Sequence, residues 1–312
     1  MKFNTITLNP ALDRTVFLSE LNTGALNRTK SAVMAAGGKG INVSRMLNSL
    51  GAKSSAFALF GGENGRILRS LCEKDGIDCA FTECECETRM CIKIIEDSSR
   101  CTEINERGGP IKPSEWDSFF AAVENSANAG DMWIIAGSFP PGVDNGVYNV
   151  LTSMLKSRGC SVALDCDGEA LKNGLGAKPM LIKPNMAELS NLVGYTVDTV
   201  EKAVGAAKCA YVENGVDILC TMSELGALYV GQKGTYLVDA PSVDVKGFAG
   251  AGDCFLASYL YKYSQGCDIP SCLAFASASA AAKVEISGTA VPDMAEIEKY
   301  IGRSVQKIDD RS

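Results

Sequence analysis

Short apolar runs recur along the chain at FNTITL (3–8), SAFALF (55–60), MWIIAG (132–137), SVALD (161–165) and MLIKP (180–184). Between them lie stretches such as INVSRMLNSLG (41–51) and SEWDSFFAAVENSA (114–127), whose apolar residues fall three and four apart and predict amphipathic helices. That alternation predicts an α/β fold with a mainly parallel central sheet covered on both faces. Ligands on such sheets gather beyond the carboxyl ends of the strands, and Ser138, Asp165, Lys183 and Asn185 lie at or just past such ends.

Two stretches break the rhythm. Residues 14–34 and 87–106 read as short strands and turns with little helix, and DSSR (97–100) suits a hairpin turn. Together they predict a small separate sheet, serving as a lid, an oligomerisation surface or both. No internal repeat, low-complexity segment or long linker divides the remainder, so the expectation is one domain over 1–312. The polar end, QKIDDRS, is expected to fray.

Composition narrows the function. With 312 residues and 46% hydrophobic content the chain can bury a large core. A net charge of −7 without a basic block argues against nucleic acid or an anionic membrane as partner. Any phosphate must then be met by local cations. The start, MKFNTITLNPALD, reads as a strand and a turn without a targeting pattern, and no run nears the roughly 18 to 20 apolar residues of a membrane span, so a cytoplasmic location is expected. Thirteen scattered cysteines with no CxxC predict reduced, mostly buried thiols. The densest group, Cys79, Cys84, Cys86 and Cys91, invites a metal, yet its spacing is not a standard zinc pattern and no histidine can assist. The chain has no histidine at all, which excludes Ser-His-Asp and Cys-His catalysis, HExxH hydrolysis and the protein-kinase HRD loop. GxxxxGK[ST] is also absent. Acid and base work falls to Asp, Glu, Lys, Tyr or Cys.

GFAGAGDCF (247–255) is the most pointed stretch. Phe255, Leu256, Tyr259, Leu260 and Tyr263 follow at helical spacing, so the glycines sit at a helix entrance. Its first N–H groups have no partner within the helix and attract an anion, while glycine lets a ligand approach closely. Asp253 there is either an N-terminal cap or a proton acceptor beside a group whose charge is growing.

The order and spacing of TLNPALD (7–13), AAGGKGINVSRML (35–47), TRMCIKI (88–94), TEINE (102–106), AGSFPPG (136–142), IKPNMAEL (182–189), GALYV (226–230) and GAGD (250–253) resemble the ribokinase-like carbohydrate kinases over nearly the whole chain. Within them the resemblance is to the branch acting on fructose 1-phosphate or tagatose 6-phosphate. It implies a three-layer sandwich with a small β-sheet lid, and ATP- and Mg2+-dependent transfer of a phosphoryl group to a sugar phosphate. In the catalytic turn that begins at Gly250, the N–H groups of Ala251, Gly252 and Asp253 would then form the anion hole, with Asp253 as base. Asp13, Gly38, Asn42 and Ser138 would hold the sugar, Asn42 either capping the next helix or bonding a hydroxyl. Arg28, Lys39 and Arg89, with Lys93 as an addition, match the cations that take the sugar's phosphate. Asn185 and Glu188 would order Mg2+ through its waters, unless they are only a helix cap and a surface acid. Lys183 would neutralise nucleotide phosphate. Gly226 and the small residues from Ala274 to Ala282 resemble the nucleotide pocket. The segment Gly247, Phe248, Ala249 departs from the family pattern, as does Cys254, which is expected to be a buried inert thiol. The implied assembly is a homodimer through the lid sheet.

Overall fold

The computed structural model describes residues 1–286 and 288–308. Its strands are β1 (Phe3–Thr7), β2 (Ala11–Leu18), β3 (Ser31–Gly37), β4 (Ser54–Gly61), β5 (Asp78–Cys84), β6 (Arg89–Glu96), β7 (Cys101–Asn105), β8 (Met132–Ala136), β9 (Ser161–Asp165), β10 (Leu181–Ile182), β11 (Asp217–Thr221), β12 (Ala227–Gly231), β13 (Gly234–Val238) and β14 (Val305–Lys307). Ten form one sheet in the order β14-β13-β12-β11-β10-β9-β8-β1-β4-β5. From β11 to β5 every pairing is parallel, and the β12, β13, β14 extension is antiparallel.

Alternate residues of the strands enter opposite cores, as the two-residue period of a strand requires. Trp133 and Ile135 join Phe119, Tyr148, Leu151 and Ala206 on one face. Met132 and Ile134 join Val43, Leu47, Phe255, Leu256 and Ala276 on the other. Helices Pro113–Ser126, Val147–Ser157 and Val200–Asn214 therefore cover the first face, and Lys39–Ser49, Ala251–Ser264 and Ile269–Val284 the second. This is the α/β sandwich that the strand and helix alternation predicts.

The second sheet runs β3-β2-β6-β7 and stands apart from the first. It comes from the two stretches that break the rhythm, but its strands reach further: β2 begins at Ala11 and includes Asp13, and β3 runs on to Gly37. Residues 97–100 do turn β6 into β7, with Ser99 at a φ of 66°.

Two local expectations change. MLIKP contributes only the two-residue strand β10, because the chain leaves the sheet at Lys183 to build the cleft. Gln306 and Lys307, expected to fray, pair with Leu237 and Tyr236 as the edge strand β14. The rest of that expectation, from Asp309 on, lies outside the described residues. The thirteen cysteines are free thiols, eight of them buried. Among the described residues no helix is long and apolar enough to cross a membrane.

Candidate active site

A cleft of about 1100 Å3 opens between the carboxyl ends of the parallel strands and the inner face of the small sheet. Asp13, Gly38, Lys39, Asn42, Arg89, Lys93, Lys183, Asn185, Glu188, Gly226, Gly250, Ala251, Gly252 and Asp253 all line it. Residues spread over 240 positions of the chain thus meet at one surface.

At its centre, helix Ala251–Ser264 starts from Gly250, whose φ of 80° is left-handed and open to glycine at little cost. The N–H of Ala251 closes the turn by donating to the Phe248 carbonyl at 3.2 Å, so in this state it is engaged rather than free. Among the described residues the N–H groups of Gly252 and Asp253 have no backbone acceptor. An anion site here would thus have fewer free N–H groups than the glycine pattern alone implies.

Asp253 is 7% exposed and accepts a 2.8 Å hydrogen bond from Asn42 Nδ2. Burial, reinforced by the charge of Asp165, pushes its carboxyl up to about 6, against the pull of Asn42, Lys39 and Lys183. Asn42 is no cap: it lies in the first turn of helix Lys39–Ser49, which starts from Gly38. Its amide is oriented by Arg45, which donates to Asn42 Oδ1 at 3.1 Å and is itself held by Asp75 at 2.8 Å.

On the floor of the cleft, Asp165 at the end of β9 joins two lysines. Lys39 Nζ donates to its Oδ1 at 2.9 Å, and Lys183 Nζ stands 3.2 Å from Oδ2. Burial alone would raise the Asp165 carboxyl, but Lys183 and then Lys39 hold it below the ordinary aspartate value. Lys39 also stands 3.7 Å from Glu188, and burial notwithstanding, Asp165 and Glu188 keep its ammonium above the ordinary lysine value. The sequence marks Asp165 only as an acid at a strand end and gives it no part in the chemistry. Position is the sole signal, because its partner Lys39 lies 126 residues away.

Asn185 and Glu188 form a capping box at the start of helix Met186–Val193, each side chain meeting the other's backbone N–H at 2.8 Å. The cap does not exclude the metal reading, since both residues still line the cleft and Glu188 Oε1 remains outside the capping pair. Among the described residues no group of three or more Cys, Asp or Glu side chains is placed to hold an ion.

Under the small sheet, Asp13 and Lys93 face each other across adjacent strands at 3.4 Å. Burial raises the Asp13 carboxyl while Lys93 opposes the shift. A Cβ on Gly37 would stand 2.4 Å from Asp13 Oδ1, so that glycine makes room for the carboxylate. Arg89 is fixed by the carbonyls of Asn9 and Glu106, both at 3.1 Å. Glu103 and Asn105 of β7 also face the cleft, a contribution that TEINE carries without marking which residues point inward.

Two expected substrate contacts lie outside the cleft wall. Ser138 is exposed and 3.4 Å from Asn9 Nδ2, and Arg28 is exposed on the loop between β2 and β3. Lys39, which the family resemblance groups with Arg28 and Arg89, lines the cleft on the Asp165 side. At the opposite end Ser277, Ala280, Ala281 and Val284 of the small-residue helix line the cleft with Val243, Val245 and Phe248. Gly226 supports that wall: a Cβ there would meet the Val238 carbonyl oxygen at 1.9 Å. Cys254 is 1% exposed, and burial pushes its thiol up, as an inert thiol requires.

Known proteins resemble this chain over most of its length. A 1-phosphofructokinase of Bacillus subtilis is 32% identical over 256 residues, covering 82% of this chain and 84% of that protein. One from Haemophilus influenzae is 30% identical over 298 residues, or 95% of each chain. Phosphofructokinase-2 from Escherichia coli, solved in complex with potassium, superposes with a TM-score of 0.91 at 26% identity, covering 96% of this chain and 97% of that one. A family model described as pfkB family carbohydrate kinase matches residues 6–296, and the chain belongs to that family.

Proposed function

We propose that the chain transfers the γ-phosphoryl group of ATP to a ketohexose monophosphate, with fructose 1-phosphate as first substrate and fructose 1,6-bisphosphate as product. The observation that carries this reading is Asp253: a buried carboxyl raised to about 6, at the head of an anion-binding helix, in one cleft with Asp13, Arg89 and Lys93.

The sugar lies under the small sheet, its hydroxyls on Asp13 and Asn42 and its phosphate toward Arg89 and Lys93. Its free terminal hydroxyl reaches Asp253, which takes the proton as the oxygen attacks. The N–H groups of Gly252 and Asp253 then meet the charge growing on the phosphoryl oxygens, with Ala251 joining if its turn bond opens. Adenine suits the apolar end, between Val243, Val245 and Phe248 on one side and Ala280 and Ala281 on the other. Lys183 neutralises the nucleotide's phosphates. Mg2+ on those phosphates would spread their charge, reached through water by Asn185 and Glu188.

The small sheet acts as a lid that keeps water from the phosphoryl group. Leu26, Val33, Met34 and Ile104 are exposed on its edge strands and adjoining loop, which supports a homodimer formed there. Arg28, on that same loop, would then stand near a subunit boundary. The sandwich and lid read together as one domain, working in the cytoplasm.

The test is ADP release with Mg2+ and ATP over fructose 1-phosphate, tagatose 6-phosphate, fructose 6-phosphate and free fructose. Selective turnover of fructose 1-phosphate is expected. Preference for tagatose 6-phosphate would keep the mechanism and change the sugar. Turnover of free fructose alone would overturn the roles of Arg89 and Lys93.

A further inference from the structure

Lys283 has no part in that chemistry, yet it is 1% exposed and lies beside the glycine turn. It is the penultimate residue of helix Ile269–Val284. Its Nζ donates to the carbonyl of Gly288 at 2.8 Å and of Ile286 at 3.2 Å. A Cβ on Gly250 would stand 3.5 Å from its Cε. On the other side of the turn, a Cβ on Gly252 would stand 3.5 Å from Lys183 Nζ. The turn that starts the anion-binding helix is thus bracketed by two buried lysines, one in the cleft and one behind it.

The tie is double. The carbonyl of Val284, next to Lys283, accepts from the N–H groups of Lys246 and Gly247 at 2.9 and 3.2 Å, anchoring the segment that leads into the turn. Behind the turn a cavity of about 20 Å3, room for one water, is lined by Lys283, Gly250, Cys254, Asn42, Asp13 and Lys93. Burial lowers the pKa of the Lys283 ammonium, with Lys93 and Arg45 adding to the shift and Cys254 and, least, Asp253 opposing it. Two carbonyl oxygens around a buried positive charge are the ligands a bound monovalent cation would take.

We propose that Lys283 is a positioning residue for phosphoryl transfer, a tethered cation that fixes the Gly250 turn from behind and keeps positive charge beside the anion site. A helix-terminal lysine that only capped its own helix would act on stability alone. Charge held beside a developing oxyanion acts on turnover, because the interaction strengthens in the transition state.

The inference rests on the kinase reading above, and its test separates the two. Lys283→Met keeps the methylene stem and removes the charge. Its kcat is expected to fall about 10- to 100-fold, with KM for the sugar phosphate within about threefold of the unmodified chain. In Lys283→Ala, methylammonium or ammonium should restore part of that kcat while tetramethylammonium, too large for the site, should not. Turnover within threefold of the unmodified chain, or a loss shared equally by kcat and KM without rescue, overturns the proposal. Should both variants fail to fold, the unmodified enzyme still decides. With its own ammonium on the two carbonyls, its rate should be the same in potassium and tetramethylammonium chloride at equal ionic strength, and severalfold activation by potassium overturns the proposal. Should the unmodified chain turn over no ketohexose phosphate, the kinase reading fails instead. The role of Lys283 in phosphoryl transfer falls with it, whereas turnover that is intact in the unmodified chain and in Lys283→Met overturns the inference alone.

Discussion

Asp165 and Asp253 are both buried aspartates on one cleft, and their surroundings move them in opposite directions. Asp165 sits on the floor with Lys39 and Lys183 on its two oxygens, which hold it ionised. Asp253 sits at the helix mouth with the neutral amide of Asn42 as its only side-chain hydrogen-bond partner among the described residues, and burial lifts its carboxyl to about 6. Two carboxyls pushed apart in this way divide the work between them. The one kept charged organises cations, and the one poised near neutrality can take up a proton and release it. Asp165 also helps set Asp253, since its fixed negative charge is the second cause of the rise.

The largest effect should come from Asp253→Asn. Asparagine keeps the size and accepts the Asn42 hydrogen bond but cannot take the proton, so kcat should fall by about a thousandfold or more while fructose 1-phosphate still binds. Assayed by ADP release and calorimetry, a variant with turnover near that of the unmodified chain would remove Asp253 as the base. Stability should move the other way. A carboxyl raised from 3.8 to about 6 on folding gives the folded chain the larger share of protons between those values, so its contribution falls as pH climbs through that window. Asp253→Asn should therefore be more stable than the unmodified chain at pH 8, by up to about 3 kcal/mol, with the gap narrowing toward pH 4. A gap that stays constant with pH would mean that Asp253 does not titrate where its burial places it.

Asp165→Ala breaks the other half of the comparison. It leaves Lys183, 5% exposed, without its carboxylate and frees Lys39, which is already partly hydrated. The loss should be about 2 to 4 kcal/mol in urea unfolding, below that of a fully buried pair because Lys39 can turn to water. A cost under 1 kcal/mol would show that the cluster is a surface arrangement rather than the floor of the site. Next in size, Arg89→Met should raise KM for fructose 1-phosphate by about tenfold and leave kcat close to unchanged, as expected for a contact made equally in the ground and transition states. An equal rise for free fructose would mean that Arg89 does not read the phosphate.

Much of this site is legible in the amino-acid sequence, and the limits have a physical form. The glycine turn, Asp253, and the pairing of Asn185 with Glu188 are local patterns, set by what lies within one helical turn, and the fold keeps them as local units. The sheet is legible because alternation along a strand and spacing along a helix are local too. What escapes depends on strand order. Lys39 reads as a phosphate cation beside Arg28 and Arg89, but β1 lies next to β8, and β8 next to β9, which brings the helix after β3 over Asp165. The polar end of the chain reads as frayed because the pairing of Val305–Lys307 with β13 crosses some 70 residues. The sequence does not mark Lys283 at all, since nothing local says that its stem ends beside the Gly250 turn.

The smallest predicted effect is the most specific. If Asp165 lifts Asp253 through its charge, then Asp165→Asn, which keeps the shape and removes the charge, should lower the Asp253 carboxyl, and the freed Lys39 and Lys183 would pull it the same way. If Asp253 is the base, it must be ionised to work, so kcat/KM should be lost as pH falls through about 6 in the unmodified chain. In Asp165→Asn that acid limb should move down by roughly half a pH unit to one unit, whatever happens to the maximal rate. An unmoved limb would mean that desolvation alone sets Asp253. A limb moved upward would mean that Asp165 acts on Asp253 by arranging the lysines rather than by its own charge, and the two carboxylates would then form one charge network instead of two separately tuned groups.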